Sequence, residues 1–125
     1  MANIKKRGQA HARVYGWEQR TPAWQALRPE AKALLIEMRL LYSPSDGNRI
    51  FLSFREMMRR LNAGRKVTTR ARDQLLELGW IREVEPGSFT RKTRHATVYA
   101  LENEPLHDGD GATAPKSYMR WAPKN

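Results

Sequence analysis

The chain contains no cysteine, which excludes a disulfide framework, a thiolate metal site and a cysteine nucleophile. It is also poor in acid: 13 Asp and Glu stand against 23 Lys and Arg, a formal net charge of +10 over 125 residues. No uncharged stretch approaches the roughly 20 residues a membrane-spanning helix requires, so no transmembrane segment is expected. The basic start at Lys5, Lys6 and Arg7 is not followed by the apolar core of a secretory signal. Phosphate loops are missing too, because Gly64-Arg65-Lys66 lacks the second glycine and its spacing. His11, His95 and His107 have no neighbours at metal-ligand spacing, and Ser53 and Ser88 fall at capping and turn positions. Neither an enzyme nor a cofactor or metal is expected.

What is present is globular. Apolar residues make up 40% and charged residues 29%, and the length favours one domain. The absence of cysteine fits a reducing cytoplasm, and the charge calls for a polyanionic partner, so nucleoid association is the expected location. Placement sharpens this: the first 20 residues carry a net +4, whereas residues 102–125 carry a net −1. The excess therefore sits in the N-terminal segment and the body.

Residues 1–20 show no sustained apolar period and read as a flexible basic arm. Thr21-Pro22 caps and opens a short helix with Trp24 and Leu27 on its apolar face. Pro29 opens a second helix, in which Ala31, Leu34, Leu35, Met38, Leu41 and Tyr42 recur at helical spacing. Turn formers from Ser43 to Asn48 end it, and Ile50–Leu52 reads as a short strand. Ser53 and Glu56 form a capping box for a helix carrying Phe54, Met57, Met58 and Leu61. Asn62-Ala63-Gly64 breaks that helix, with Asn62 or Gly64 suited to a left-handed turn. From Arg65 to Leu78 a further helix buries Val67, Ala71, Leu75 and Leu78, and Gly79 stops it.

Trp80–Val84 and Ala96–Leu101 then read as a hairpin joined by Pro86-Gly87 and a basic tip. This order predicts an α+β winged helix-turn-helix: three helices, a small antiparallel sheet with a basic wing, and an extra short N-terminal helix. The domain spans residues 21–101, and residues 102–125 form a linker and an aromatic tail ending in Tyr118, Met119, Arg120 and Trp121.

In such a fold the second helix of the pair enters the DNA major groove. Its first half offers Arg65, Lys66, Thr68, Thr69, Arg70 and Arg72, types that suit phosphates, guanine edges and thymine methyls. The wing offers Arg91, Lys92, Arg94 and His95 to the adjacent backbone or minor groove. Weaker contributions are expected from Lys5, Lys6 and Arg7 of the arm and from Arg55 on the preceding helix. Trp24, Trp80, Tyr42 and Phe54 are assigned to the core. The expected partner is double-stranded DNA, with no membrane and no small-molecule effector. A homodimer stays open, with the Trp24 or Trp121 region as its surface.

The run from Pro22 to Leu101 resembles a family of small winged-helix proteins of alphaproteobacterial chromosomes, plasmids and phages, near the repressor-of-conjugal-transfer type. The resemblance rests on Thr21–Leu27 (TPAWQAL), AKALLIEMR, DGNRIFLSFREM, LGWI, and a wing running from Gly87-Ser88-Phe89 to Arg94-His95-Ala96-Thr97. Ala114–Pro123 is similar to that family's terminal motif. The resemblance implies a DNA-binding protein, with some relatives repressing transfer or mobile-element genes. The sequence departs from the family at Gly64-Arg65-Lys66-Val67, where relatives carry Lys-Ser-Thr. Sequence-specific regulation by promoter occlusion is the leading expectation. The alternatives are an accessory factor in replication or recombination of a mobile element and a winged-helix module that binds protein.

Overall fold

A computed structural model describes residues 9–85, 88–89, 94–105 and 113–124, and of 88–89 and 94–95 it describes the backbone alone. The described residues form an α+β structure of several helices on a small antiparallel sheet, an arrangement compatible with a winged helix. Two short helices, α1 (Gly16–Gln19) and α2 (Pro22–Gln25), precede the longer α3 (Pro29–Leu41). Then follow β1 (Ile50–Phe51), α4 (Phe54–Leu61), α5 (Arg65–Glu77), β2 (Ile81–Glu85), β3 (Ser88–Phe89), β4 (Arg94–His95) and β5 (Val98–Leu101).

Local chemistry accounts for most boundaries. The Thr21 hydroxyl accepts from the Trp24 N–H at 3.1 Å and so caps α2. Pro29 occupies the first turn of α3, where its missing N–H has no partner to lose. The Ser53 hydroxyl accepts from the Glu56 N–H at 3.1 Å and starts α4. Of the two candidates for the tight turn, Asn62 takes the left-handed conformation, with φ 52° and ψ 49°. The short strand completes the sheet as its sequence predicts: β5 lies between β1 and β2, antiparallel to both.

The core lies between this sheet and the helices. Leu34, Leu35 and Met38 of α3 meet Ala71 and Leu75 of α5, with Met57 of α4 and Ile81, Tyr99 and Leu101 of the sheet closing the cluster. Trp80 is wholly buried at its centre, its indole N–H donating to the Ala23 carbonyl at 3.2 Å. Trp24 packs edge-on against it at 5.7 Å and is buried in the same cluster. Tyr42 and Phe54 are only partly buried and pack on the edge of the cluster.

Two sequence expectations are corrected here. The arm does not extend to residue 20, because α1 is folded onto the domain and its Glu18 is buried. Glu18 meets Arg39 of α3 in a bidentate pair, Nη1 to Oε1 at 2.9 Å and Nη2 to Oε2 at 2.8 Å. The Tyr15 N–H and the Tyr118 hydroxyl donate to the same carboxylate at 2.9 and 3.2 Å. Four donors thus replace the water that Glu18 loses on burial.

The second correction concerns the C-terminal side. Glu102 is not the start of a solvated linker but a buried clamp. Its carbonyl accepts from the Lys116 N–H at 3.0 Å, and its carboxylate accepts from the Ser117 N–H at 3.0 Å. That clamp seats Tyr118 flat on Trp80, with ring centroids 3.9 Å apart and planes 6° from parallel. The aromatic tail therefore docks on its own domain. Gly79 makes room for it: the backbone has φ +87°, and a Cβ here would stand 2.8 Å from the Tyr118 nitrogen. Beyond stopping α5, this glycine admits the tail.

Breaking a buried ion pair from one side leaves a charge without its partner, which costs about 3–5 kcal/mol. Glu18→Ala and Arg39→Ala are each expected to lower the unfolding free energy by about that much, whereas the Glu18→Leu/Arg39→Met double variant loses less than either. Chemical denaturation checks both. Burial alone would raise the Glu18 carboxyl, but the Arg39 guanidinium and the Tyr15 N–H outweigh it and hold it below its ordinary value of 4.5. Because the folded value is the lower one, this stabilisation is present above 4.5 and is lost as the pH falls through the folded value. Tyr118 runs the opposite way, raised by burial and then by the Glu18 carboxylate, so its contribution is present below 10 and is lost at higher pH. Melting temperature against pH is therefore expected to fall at both ends, and to flatten at the acid end in Glu18→Gln.

Candidate nucleic-acid interface

Helices α4 and α5 carry Arg55, Arg59 and Arg60, and Arg65, Lys66, Arg70 and Arg72, respectively. The pair is fixed by its surroundings. From α5, Gln74 donates to the Ala26 carbonyl at 3.0 Å and accepts from the Arg28 N–H at 2.7 Å, tying α5 to the start of α3. Gly64 stands at the N-cap with no side-chain hydrogen bond, so the first-turn amides of α5 point outward without a side-chain acceptor. A helix end of that kind favours an anion.

On the face of α5, Arg65, Lys66 and Arg70 are exposed and Thr69 is half-exposed. None of the three cations forms an ion pair among the described residues. Arg70 is close enough to Glu30 for its charge to help hold that carboxyl low, behind the backbone and Arg28 bonds that contribute more.

Two of the expected contact residues are placed differently. Thr68 is fully buried, and its hydroxyl has no hydrogen-bond partner among the described residues. It cannot reach a groove. The inward stripe of α5 is Thr68, Ala71, Leu75 and Leu78, while Val67 sits at its half-exposed edge. Arg72 is partly withdrawn: its side chain is half-buried, its guanidinium bonds the Asp73 carboxylate at 3.0 and 3.1 Å, and its charge acts on the Tyr99 hydroxyl of β5 against the larger effect of burial.

The preceding helix divides its arginines. Arg59 and Arg60 both bond Glu56 within α4, and Arg60 also reaches Glu37 at 3.0 Å and so ties α4 to α3. Arg55 is exposed and forms no ion pair among the described residues. Phe54, read from the sequence as a core residue only, also lies under two guanidiniums, those of Arg65 at 5.6 Å and Arg72 at 5.4 Å. No periodicity links position 54 to positions 65 and 72, because the contact crosses the turn between two helices.

On the wing, Ser88 pairs with His95 and Phe89 with Arg94 in a short antiparallel ladder. The sequence places Ser88 in a turn and Phe89 to His95 in a loop tip; the ladder instead carries strand pairing into both. Arg91 and Lys92, the side chains of Arg94 and His95, and Lys5, Lys6 and Arg7 lie outside the described residues.

Among the described residues no group of three His, Cys, Asp or Glu is placed to hold a metal ion, and no helix is long and apolar enough to cross a membrane. A cavity of about 190 Å3, lined by residues that include Arg13, Arg39, Tyr42 and Glu104, shares no residue with α4 or α5. Comparison with family models, curated proteins and solved structures finds no match to this chain.

The placement of Thr68 separates its role from that of its neighbours. Thr68→Val, which keeps the shape and removes a buried unpaired hydroxyl, is expected to leave stability unchanged or raise it by up to about 1 kcal/mol. Lys66→Ala and Arg70→Ala, on the exposed face, are expected to stay within about 0.5 kcal/mol of the parent. Urea melts of the three variants check this; a loss above 1 kcal/mol in Thr68→Val would mean that its hydroxyl has a partner.

Proposed function

We propose that the chain is a winged helix-turn-helix protein that binds double-stranded DNA sequence-specifically and regulates transcription, acting as a repressor by occluding a promoter. The observation that carries this reading is the division of cations between α4 and α5. Arg59 and Arg60 are tied to Glu56 and Glu37, whereas Arg65, Lys66 and Arg70 stand exposed around Thr69 with no acid bonded to them among the described residues. A face that served solubility alone would mix both signs; here the acids of α5, Asp73 and Glu77, lie in its later half. An outward helix N-terminus at the same place adds a site suited to phosphate.

In this reading α5 lies in the major groove. Arg65 and Thr69 meet base edges, while Lys66, Arg70 and Arg55 meet the backbone. The wing cations Arg91, Lys92 and Arg94 hold the adjacent backbone. Arg72 and Thr68 belong to the support of the helix rather than to the contact. The resemblance to small winged-helix repressors of mobile elements points the same way, and occlusion asks nothing of the protein beyond binding at the right place.

Two measurements test the assignment. Affinity for duplex DNA is expected to fall by about a thousandfold or more between 50 and 200 mM salt if six or more phosphates are engaged, and a flat salt response would exclude this mode of binding. Thr69→Ala is expected to weaken binding to the preferred duplex more than to random DNA, whereas Lys92→Ala weakens both alike. Equal losses for both variants on both DNAs would contradict the division between reading and anchoring.

A further inference from the structure

The Phe54 ring joins two arginines that lie two helical turns apart. Arg65 and Arg72 are seven residues apart on α5 and therefore share one face. Both guanidiniums lie over the ring that opens α4, at 5.6 and 5.4 Å from its centre. Like charges brought this near repel, and the negative face of an aromatic ring offsets that repulsion.

The two cations are not equivalent. Arg72 is half-buried and has further bonds to the Asp73 carboxylate, so the fold itself fixes its guanidinium. Arg65 is exposed, forms no ion pair among the described residues, and stands at the very start of α5 beside the outward amides. The ring is the described contact that orients it. A guanidinium lying against an aromatic ring keeps its N–H edge free, and that edge matches a two-acceptor target such as the O6/N7 pair of guanine.

We infer that Phe54 is a positioning residue that orients the Arg65 guanidinium toward a guanine edge, an inference that rests on the DNA-binding reading above. An unbranched ammonium could not use the ring in this way, because it presents a point charge and no planar fork. The rotamers of a long side chain, narrowed before binding, need not be narrowed by the DNA. The ring therefore contributes to discrimination between sequences more than to total affinity.

The test compares the affinity ratio between a preferred duplex, found by selection from random sequences, and a scrambled duplex of the same length. The full chain is used throughout. Phe54→Leu, which keeps apolar contact and removes the ring, is expected to reduce that ratio by about three- to tenfold. Phe54→Tyr and Phe54→Trp keep a ring and are expected to keep the ratio. With Arg65→Ala already present, Phe54→Leu is expected to lower the ratio no further. Should the leucine variant fail to give a cooperative melt, Phe54→Met serves the same comparison.

A ratio unchanged in Phe54→Leu overturns the inference. So does an equal loss in the leucine and tryptophan variants, or a leucine loss of the same size without Arg65, since each of these describes a residue that only supports packing. Failure of the parent protein to prefer any duplex overturns the DNA-binding reading itself and is recognised before any variant is made.

Discussion

The Glu18–Arg39 pair holds together parts of the chain that are 100 residues apart in sequence. Arg39 projects from α3, the helix that packs on both α4 and α5, and its guanidinium also bonds the Arg13 carbonyl at 2.8 Å. Glu18 brings in the N-terminal helices, and the Tyr118 hydroxyl brings in the tail. The pair lies beside Trp80, over whose ring the Arg39 guanidinium sits at 5.8 Å. Both charges are almost fully buried, so neither is satisfied by water and each depends on the other for its position. The domain is thus closed by a polar joint next to the fully buried Trp80, with the Tyr118–Trp80 stack contributing about 0.5–1.5 kcal/mol beyond its buried area.

That joint matters for function through α3. Helix α5 is held to α3 along the core and again by Gln74 at the Ala26–Arg28 connection, while α4 is held to α3 by the Arg60–Glu37 pair. Helix α3 therefore sets the relative position of the helix pair. The cations divide in the same manner: some are consumed in holding the elements together, and the remainder face outward on the first half of α5. Net charge alone makes no such distinction. The hydrogen-bonded partner of each arginine does.

Much of the framework was legible from the residues. Thr21, Pro29, Ser53 and Asn62 each carry a local signal with a local physical cause, and each occupies the predicted place. The apolar period of α3 identified its buried face for the same reason. What escaped was long-range. Glu18 resembled any solvated acid of a basic arm, because nothing in its neighbourhood announces an arginine 21 positions on or a tyrosine 100 positions on. Thr68 was misplaced because a threonine counted as polar, although positions 68, 71, 75 and 78 keep helical spacing as well as a stripe through Val67 does. At Gly79 only half the meaning was visible: a stop signal can be read locally, whereas a backbone passing 2.8 Å from the absent Cβ cannot.

The central claim is that the outward face of α5 reads the sequence of duplex DNA. Selection of bound sites from a pool of random duplexes by the full chain, followed by sequencing of the retained DNA, tests this most directly. The account predicts enrichment of one short motif whose recovery is lost when Arg65 and Thr69 are both replaced by alanine. Retention of DNA with no enriched motif, or a motif unaffected by that double substitution, would contradict it.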